Sequence, residues 1–199
     1  MGAVATYEPA KLTVDVFLAF VDTRSDEERW QLIDGVAVMM TSPRIAHQRI
    51  ASNLERLLND ALEGRAPEWL ASREIGIQIE SAPTYRPVPE VTVTDADVDT
   101  TRHYVDRFHL VAEVLSDSDR RDASALKLPL YRSHAPNRCV LLIEQKTVWV
   151  QVHTREPGAE WTAETLVSLD DVLSLPSFGL RCPVRDLYRN TPLASPAGA

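Results

Sequence analysis

The spacing of apolar residues along the chain predicts an alternation of helices and strands. Apolar residues at helical spacing indicate a first helix over residues 14–21 and a long helix over residues 44–62. Between them, two short apolar segments flank Asp34-Gly35, a dipeptide typical of a two-residue β-hairpin turn. The chain is therefore expected to begin with a helix, a hairpin and a second helix.

Most of the predicted strands lie in the second half of the chain. Residues 108–115, FHLVAEVL, form a nearly continuous apolar run, which is typical of a central strand that is covered on both faces. Shorter apolar or alternating segments predict further strands at residues 75–79, 89–94, 138–143, 146–153 and 161–167. Two more helices are predicted, one over residues 120–134, which Pro129 should kink or interrupt, and one over residues 169–175.

This order of elements predicts an α/β (α+β) fold, in which helices flank a mixed β-sheet core. A length of 199 residues fits one domain, which we place at residues 1–190, and the Pro- and Ala-containing residues 191–199 are expected to form a disordered tail. The sequence has neither G-x-G-x-x-G nor G-x-x-x-x-G-K-[ST], so a nucleotide cofactor is not expected.

Charge and cysteine content limit the classes of function. The chain has 21 Lys and Arg against 29 Asp and Glu, a formal charge of −8, whereas proteins that coat nucleic acid usually carry a basic surface. An enzyme that touches nucleic acid locally, through a metal and a few arginines, is compatible with this charge. The two cysteines cannot form a disulfide framework or a four-thiolate zinc site, so a reducing cytoplasmic setting is expected. No apolar run approaches the ~20 residues of a membrane-spanning helix, so no membrane association is expected.

Glu113 is the most unusual residue in this pattern because it lies inside the apolar run of residues 108–115. An ionised carboxylate is costly there unless it is paired with a cation or bound to a metal. Glu90 lies on the preceding predicted strand and Lys127 in the following helix. Two carboxylates at adjacent strand ends can bind Mg²⁺ or Mn²⁺, and a nearby lysine can orient a nucleophile or stabilise negative charge. Spacing alone is equally compatible with a structural ion pair and ordinary surface residues.

Three stretches of the sequence resemble the Uma-two family, a bacterial family of restriction-endonuclease-like proteins. In chain order, between residues 12 and 187, they are QLIDGVAVMMTSPRIAHQRIASNL, RPVPEVTVT and LVAEVLSDSDRRDASALKLPLYRSHAP. The resemblance implies the PD-(D/E)xK nuclease-like fold and a metal-dependent endonuclease that hydrolyses phosphodiester bonds in DNA. It also implies Mg²⁺ or Mn²⁺ as the cofactor and DNA as the partner, and a homodimer is expected because symmetric pairs are the commonest oligomers.

The same resemblance assigns roles to individual residues. Glu113 matches the metal-binding glutamate, Glu90 stands in place of the metal-binding aspartate, and Lys127 matches the active-site lysine. The lysine comes from the next helix, since the E-x-K position is Leu115. Possible supporting residues are Ser116, Asp122, Tyr131 and His47. For His47 a packing role at the edge of the apolar stripe is the simpler interpretation.

The chain also departs from the usual family pattern. Glu90 adds a methylene where the family has aspartate, Gln31 and Val36 stand where the hairpin usually has glutamates, and Pro129 interrupts the helix after the lysine. These departures support a second hypothesis, a catalytically degenerate nuclease-fold protein that acts as a dimerisation or interaction module. A cleavage assay separates the two hypotheses. If the wild type cleaves DNA and a Glu113→Ala variant does not, the nuclease hypothesis is favoured over the interaction module.

Overall fold

The first three predicted elements are confirmed. The computed structural model describes residues 11–25, 27–115 and 126–194. Helix α1 (Val14–Val21) begins after Thr13, a two-stranded hairpin follows, and helix α2 (Ile45–Arg65) comes next. Gly35 in the hairpin turn has a φ of 77°, and a Cβ there would lie 2.4 Å from the Cβ of Lys11. Glycine at this turn therefore meets both a backbone and a space requirement.

The described residues contain twelve strands in all, including the two of the hairpin, and a third helix. The third helix is α3 (Leu128–Ser133). The strands are β1 (Trp30–Ile33), β2 (Val36–Met39), β3 (Trp69–Arg73), β4 (Gly76–Ile77), β5 (Val91–Asp95), β6 (Tyr104–Val105), β7 (Leu110–Leu115), β8 (Cys139–Glu144), β9 (Val150–Thr154), β10 (Thr162–Leu166), β11 (Val172–Leu175) and β12 (Leu180–Pro183). Short 3₁₀ turns at Pro176–Phe178 and Val184–Asp186 flank β12.

A six-stranded mixed sheet lies at the centre, with the strand order β10-β9-β8-β7-β5-β3. Strands β7 and β8 run parallel, and the other neighbouring pairs run antiparallel. Smaller two-stranded units pair β1 with β2, β4 with β6, and β11 with β12. The α/β (α+β) fold with a mixed sheet and flanking helices is therefore confirmed.

Strand β7 separates two apolar layers, as its continuous apolar run predicted. All six of its residues are buried. Ala112 and Val114 belong to the core that contains the apolar stripe of α2, whereas Val111 and Leu115 pack in a second core with Tyr131 of α3. Because side chains alternate along a strand, Glu113 lies on the α3 side of the sheet.

Several predicted elements differ in type or length. The strand predicted over residues 146–153 is limited to β9, which begins at Val150. The helix over residues 169–175 is wrong: its second half is strand β11, which pairs with β12. Leu173 and Leu175 are buried while Val172 is exposed, so the side chains alternate with the period of a strand. The segment is too short for this pattern to distinguish a strand from a helix. The strand over residues 75–79 shortens to β4, which pairs with β6 over two residues.

Pro129 lies near the beginning of α3 and does not interrupt its interior. The sequence predicted a helix over residues 120–134 with a kink or break at Pro129, and the helix among the described residues begins at Leu128. Pro129 thus lies in the first turn, where the missing N–H costs no helical hydrogen bond. Residues 120–125 of the predicted helix lie outside the described residues.

The division into a domain over residues 1–190 and a tail over residues 191–199 remains a prediction. Thr191 is buried and its hydroxyl donates to the carbonyl of Tyr188, while Leu193 and Ala194 pack against the core. Across the described residues, no helix has both the length and the apolar character needed to cross a bilayer.

Arg155 stabilises the chain that leaves α3. Its guanidinium donates hydrogen bonds to three backbone carbonyls, those of His134 (2.6 Å), Ala135 (2.7 Å) and Asn137 (2.9 Å). Hydrogen bonds from a charged donor are stronger than neutral ones. This contact anchors the C-terminal end of the helix that carries Tyr131.

An Arg155→Ala substitution is expected to lower the free energy of unfolding by about 2 kcal/mol, because the carbonyls lose a charged donor. Urea denaturation would measure the change. Arg181→Ala, at an exposed position of β12, is the matched control and should change stability little. Equal losses in the two variants would contradict an anchoring role for Arg155.

Candidate active site

The pairing of β5 with β7 brings Glu90 beside Glu113. Val91 lies opposite Ala112, so continuation of this antiparallel register places Glu90 opposite Glu113. The Glu90 carboxylate accepts a hydrogen bond from the backbone N–H of Val114 at 3.0 Å. Two carboxylates from neighbouring strands therefore meet where β5 begins.

Lys127 and Tyr131 both contact the carboxylate of Glu113. The Lys127 ammonium donates to both carboxylate oxygens of Glu113, at 3.1 and 3.0 Å, and the Tyr131 hydroxyl donates to Oε1 at 2.5 Å. The two residues are four positions apart at the beginning of α3, so one helical turn presents both to the same carboxylate. All three side chains are buried.

His47 of α2 completes this group of side chains. Its Nε2 lies 3.2 Å from Oε1 of Glu90, and the residue is 8% exposed. Besides packing at the edge of the apolar stripe, His47 thus contacts a carboxylate of the site. The structure therefore brings together Glu90, Glu113, Lys127, Tyr131 and His47. Ser116 and Asp122 lie outside the described residues.

The two carboxyl groups have opposite pKa shifts. Burial, opposed by the charge of Lys127 and reinforced by the charge of Glu90, raises the pKa of Glu113 to about 8. Burial also opposes ionisation of Glu90, but a hydrogen bond from His47 and the charge of Lys127 hold the pKa of Glu90 below its usual range. Burial, the Glu113 charge and their hydrogen bond raise the pKa of Tyr131 well above its ordinary value, so its hydroxyl keeps the proton that it donates.

These residues open into a cleft of about 750 Å³. One wall is the β1–β2 hairpin, which contributes Gln31, Ile33, Val36 and Val38. Glu90, Glu113 and Lys127 lie in the same cleft together with the start of α2. The site is therefore accessible to a ligand from one side of the sheet.

The site has the donor chemistry of a hard divalent cation, since carboxylate oxygens are the ligands that Mg²⁺ and Mn²⁺ prefer. The charge of the neighbouring Glu90 opposes ionisation of Glu113, so the pair favours a proton on Glu113. A bound cation could take the place of that proton. Within the described parts of the chain, no group of three His, Cys, Asp or Glu side chains is arranged to hold a metal.

Gln145 is a cleft residue that the sequence analysis missed. It follows β8 directly, and its amide Nε2 donates to the carbonyl of Leu115 at the end of β7 at 3.2 Å. It lines the cleft beside Glu113 and Lys127. A polar residue directly after a buried strand was the available signal, because the ends of neighbouring parallel strands meet at one edge of a sheet.

A family model described as "Putative restriction endonuclease", Uma2, matches residues 14–185. The chain belongs to the Uma2 family. The match includes the hairpin, both carboxylates and α3, so the resemblance noted in the sequence is confirmed at the level of the family.

A solved structure from Anabaena variabilis ATCC 29413 shares the fold of this Uma2 chain. Its title describes "a putative nuclease belonging to DUF820". The superposition has a TM-score of 0.68, covers 89% of this chain and 97% of that chain, and aligns residues that are 18% identical. At this identity the likeness establishes the fold alone. A search of curated proteins finds no match to the chain.

Proposed function

We propose that this Uma2 protein is a metal-dependent endonuclease that hydrolyses phosphodiester bonds in DNA. The observation that carries the proposal is the contact of two carboxylates and a lysine in one cleft, with Glu90 beside Glu113 and Lys127 hydrogen-bonded to Glu113. Membership of a family described as restriction endonucleases supports the same reaction class. The −8 charge of the chain favours local contact with DNA over coating of it.

Glu90 and Glu113 would hold a single Mg²⁺ or Mn²⁺. Such an ion, when bound, lowers the pKa of a coordinated water and neutralises charge on the phosphate. The chain keeps its two carboxylates in position by contacts from several elements. His47 and the Val114 N–H hold Glu90, and Tyr131 holds Glu113.

Lys127 would act on the reacting phosphate. Its ammonium already lies against Glu113 with both carboxylate oxygens as acceptors. A lysine is a compact point charge with three donors, so it can orient a water for attack or stabilise the charge that develops on the phosphate. The contact of Lys127 with Glu113 would keep that charge beside a cation held by Glu113.

Cleavage of supercoiled plasmid in Mg²⁺ or Mn²⁺ tests the proposal. We expect the wild type to nick or linearise the plasmid, and EDTA to abolish the reaction. Lys127→Met is expected to reduce the rate by about a hundredfold or more, because it removes the charge and keeps most of the volume. Lys146→Met, at an exposed position after β8, is the matched control and should cleave like the wild type.

Two outcomes would contradict the proposal. Equal cleavage by the wild type and Lys127→Met would leave the lysine without a role. No cleavage by the wild type would favour the degenerate interaction module instead. The homodimer, the cytoplasmic location and the identity of the metal remain predictions, and light scattering of the purified protein would test the dimer.

A further inference from the structure

A second groove lies beside the cleft, along the exposed side of α2. It has a volume of about 250 Å³, and Pro43 and Gln48 line both the groove and the cleft. Gln48 directly follows His47, whose ring contacts Glu90. The groove therefore begins next to the proposed metal centre, and an extended ligand in the cleft can continue into it.

Side chains of α2 hold the C-terminal turn that forms the other wall of the groove. The Asn53 amide donates to the backbone carbonyls of Leu187 and Arg189, at 2.9 Å each. The Arg49 guanidinium donates to the carbonyl of Asn190. Asn190 has a φ of 62°, a left-handed conformation that asparagine adopts more readily than most residues. These contacts fix Arg189 on the groove that Arg49 also lines.

The groove is basic although the whole chain carries a formal charge of −8. Its lining among the described residues contains two arginines, Arg49 and Arg189, and no Asp or Glu. Both arginines are exposed, and neither forms an ion pair with another described residue. The same holds for Arg44, which lines the cleft beside Pro43. Three arginines without acidic partners thus follow one path from the cleft into the groove.

The chemistry of the groove suits a sugar–phosphate backbone. A guanidinium has five N–H donors and can bind a phosphate with two of them, and the contact of Arg49 with the Asn190 carbonyl uses only one. The Ser52 hydroxyl accepts from Arg73 and keeps its own proton for donation to a ligand. Ile45 in the same groove is 74% exposed and offers an apolar surface for a sugar.

We propose that this groove binds the backbone of the DNA strand next to the scissile phosphate, with Arg49 and Arg189 each neutralising a phosphate and Arg44 at the passage into the cleft. The inference rests on the proposed nuclease function and specifies where the substrate lies. Phosphate contacts fix the position of DNA on a protein without reading its sequence. The groove therefore positions the strand over the carboxylates and adds no base preference.

Binding of a fluorescein-labelled DNA duplex tests the groove without cleavage. Fluorescence anisotropy is measured in EDTA over a series of NaCl concentrations that begins at low salt. The double variant Arg49→Gln/Arg189→Gln is expected to bind about tenfold or more weakly than the wild type. Its dependence of log K on log salt should be shallower by about two, since each lost phosphate contact removes about 0.9 from the slope.

Two further variants separate charge from structure. Arg49→Lys/Arg189→Lys keeps both charges and should keep the salt slope of the wild type, even where the contact with the Asn190 carbonyl is altered. Arg181→Gln is the matched control, because Arg181 is an exposed arginine that lines neither the groove nor the cleft. In Mg²⁺ or Mn²⁺ the glutamine double variant should show a KM for DNA raised about tenfold and a smaller change in kcat.

The outcomes separate this inference from the proposed function. Metal-dependent cleavage by the glutamine double variant, with the KM and salt slope of the wild type, would leave the nuclease function intact and overturn the groove. Absence of cleavage by the wild type, with a salt slope that falls in this variant and not in Arg181→Gln, would overturn the nuclease function and support the groove. Failure of the wild type to bind DNA, or an equal fall in slope in the lysine variant or the control, would overturn the groove.

Discussion

The Glu113→Gln variant is expected to cleave DNA at least about a hundredfold more slowly than the wild type. Glutamine keeps the volume of the side chain and an oxygen that can accept from Tyr131, but it removes the negative charge that would hold a cation. The variant should therefore fold and fail in the metal-dependent step. Single-turnover cleavage of plasmid in excess Mg²⁺ or Mn²⁺ measures the loss.

Glu164→Gln provides the control for this experiment. Glu164 is exposed on β10, at the edge of the central sheet. Its replacement by glutamine makes the same chemical change at a position away from the cleft. Its rate should equal that of the wild type. A Glu113→Gln rate as high as that of the control would show that cleavage does not need Glu113, and would overturn its assignment as a metal ligand.

The metal-free protein is expected to become less stable as the pH rises from about 5 to about 8. Folding raises the pKa of Glu113 from 4.5 to about 8, so the folded state binds a proton that the unfolded state has released. This contribution is fully present below the unfolded pKa and is lost as the pH rises through the folded pKa. Each pKa unit corresponds to ~1.4 kcal/mol, so we expect a loss of about 2 kcal/mol or more. The lowered pKa of Glu90 does not oppose this loss, because its contribution changes only below the usual carboxyl pKa of 4.5.

Urea denaturation in EDTA across this pH range measures the effect. Glu113→Gln carries no titrating group at the position, so its free energy of unfolding should vary less with pH than that of the wild type. Addition of Mg²⁺ at about pH 8 should restore stability to the wild type and not to the variant, because a cation that binds the folded state alone stabilises it. Parallel pH profiles for the two proteins would contradict the raised pKa of Glu113.

The hydrophobic pattern was sufficient to predict the long helices and strands. The stripe of α2 and the continuous apolar run of β7 bury enough surface that few alternatives compete with them. Short elements were less predictable. β11 has four residues, too few to distinguish the period of a strand from that of a helix, and pairing with β12 decides its form.

The residues of the site also differ in how far the sequence alone could identify them. Glu113 could be singled out from the sequence because a carboxylate within an apolar strand conflicts with its surroundings, whereas Glu90 and Lys127 gained their proposed roles from the family resemblance. Ser116 and Asp122, which the same resemblance assigned as supports, lie outside the described residues and remain predictions. The resemblance also assigned His47 as a possible support, but its contact with Glu90 depends on how α2 packs on the sheet, which the sequence does not contain.

By itself the sequence determined the order of the main elements, the mixed character of the sheet and the presence of one costly buried carboxylate. These follow from local periodicity and from the cost of burying charge, which neighbouring residues alone reveal. Only the tertiary structure decided which side chains surround that carboxylate and which face of the hairpin lines the cleft. Both depend on the register of β5 with β7 and on contacts between residues far apart in the chain, which no local pattern contains.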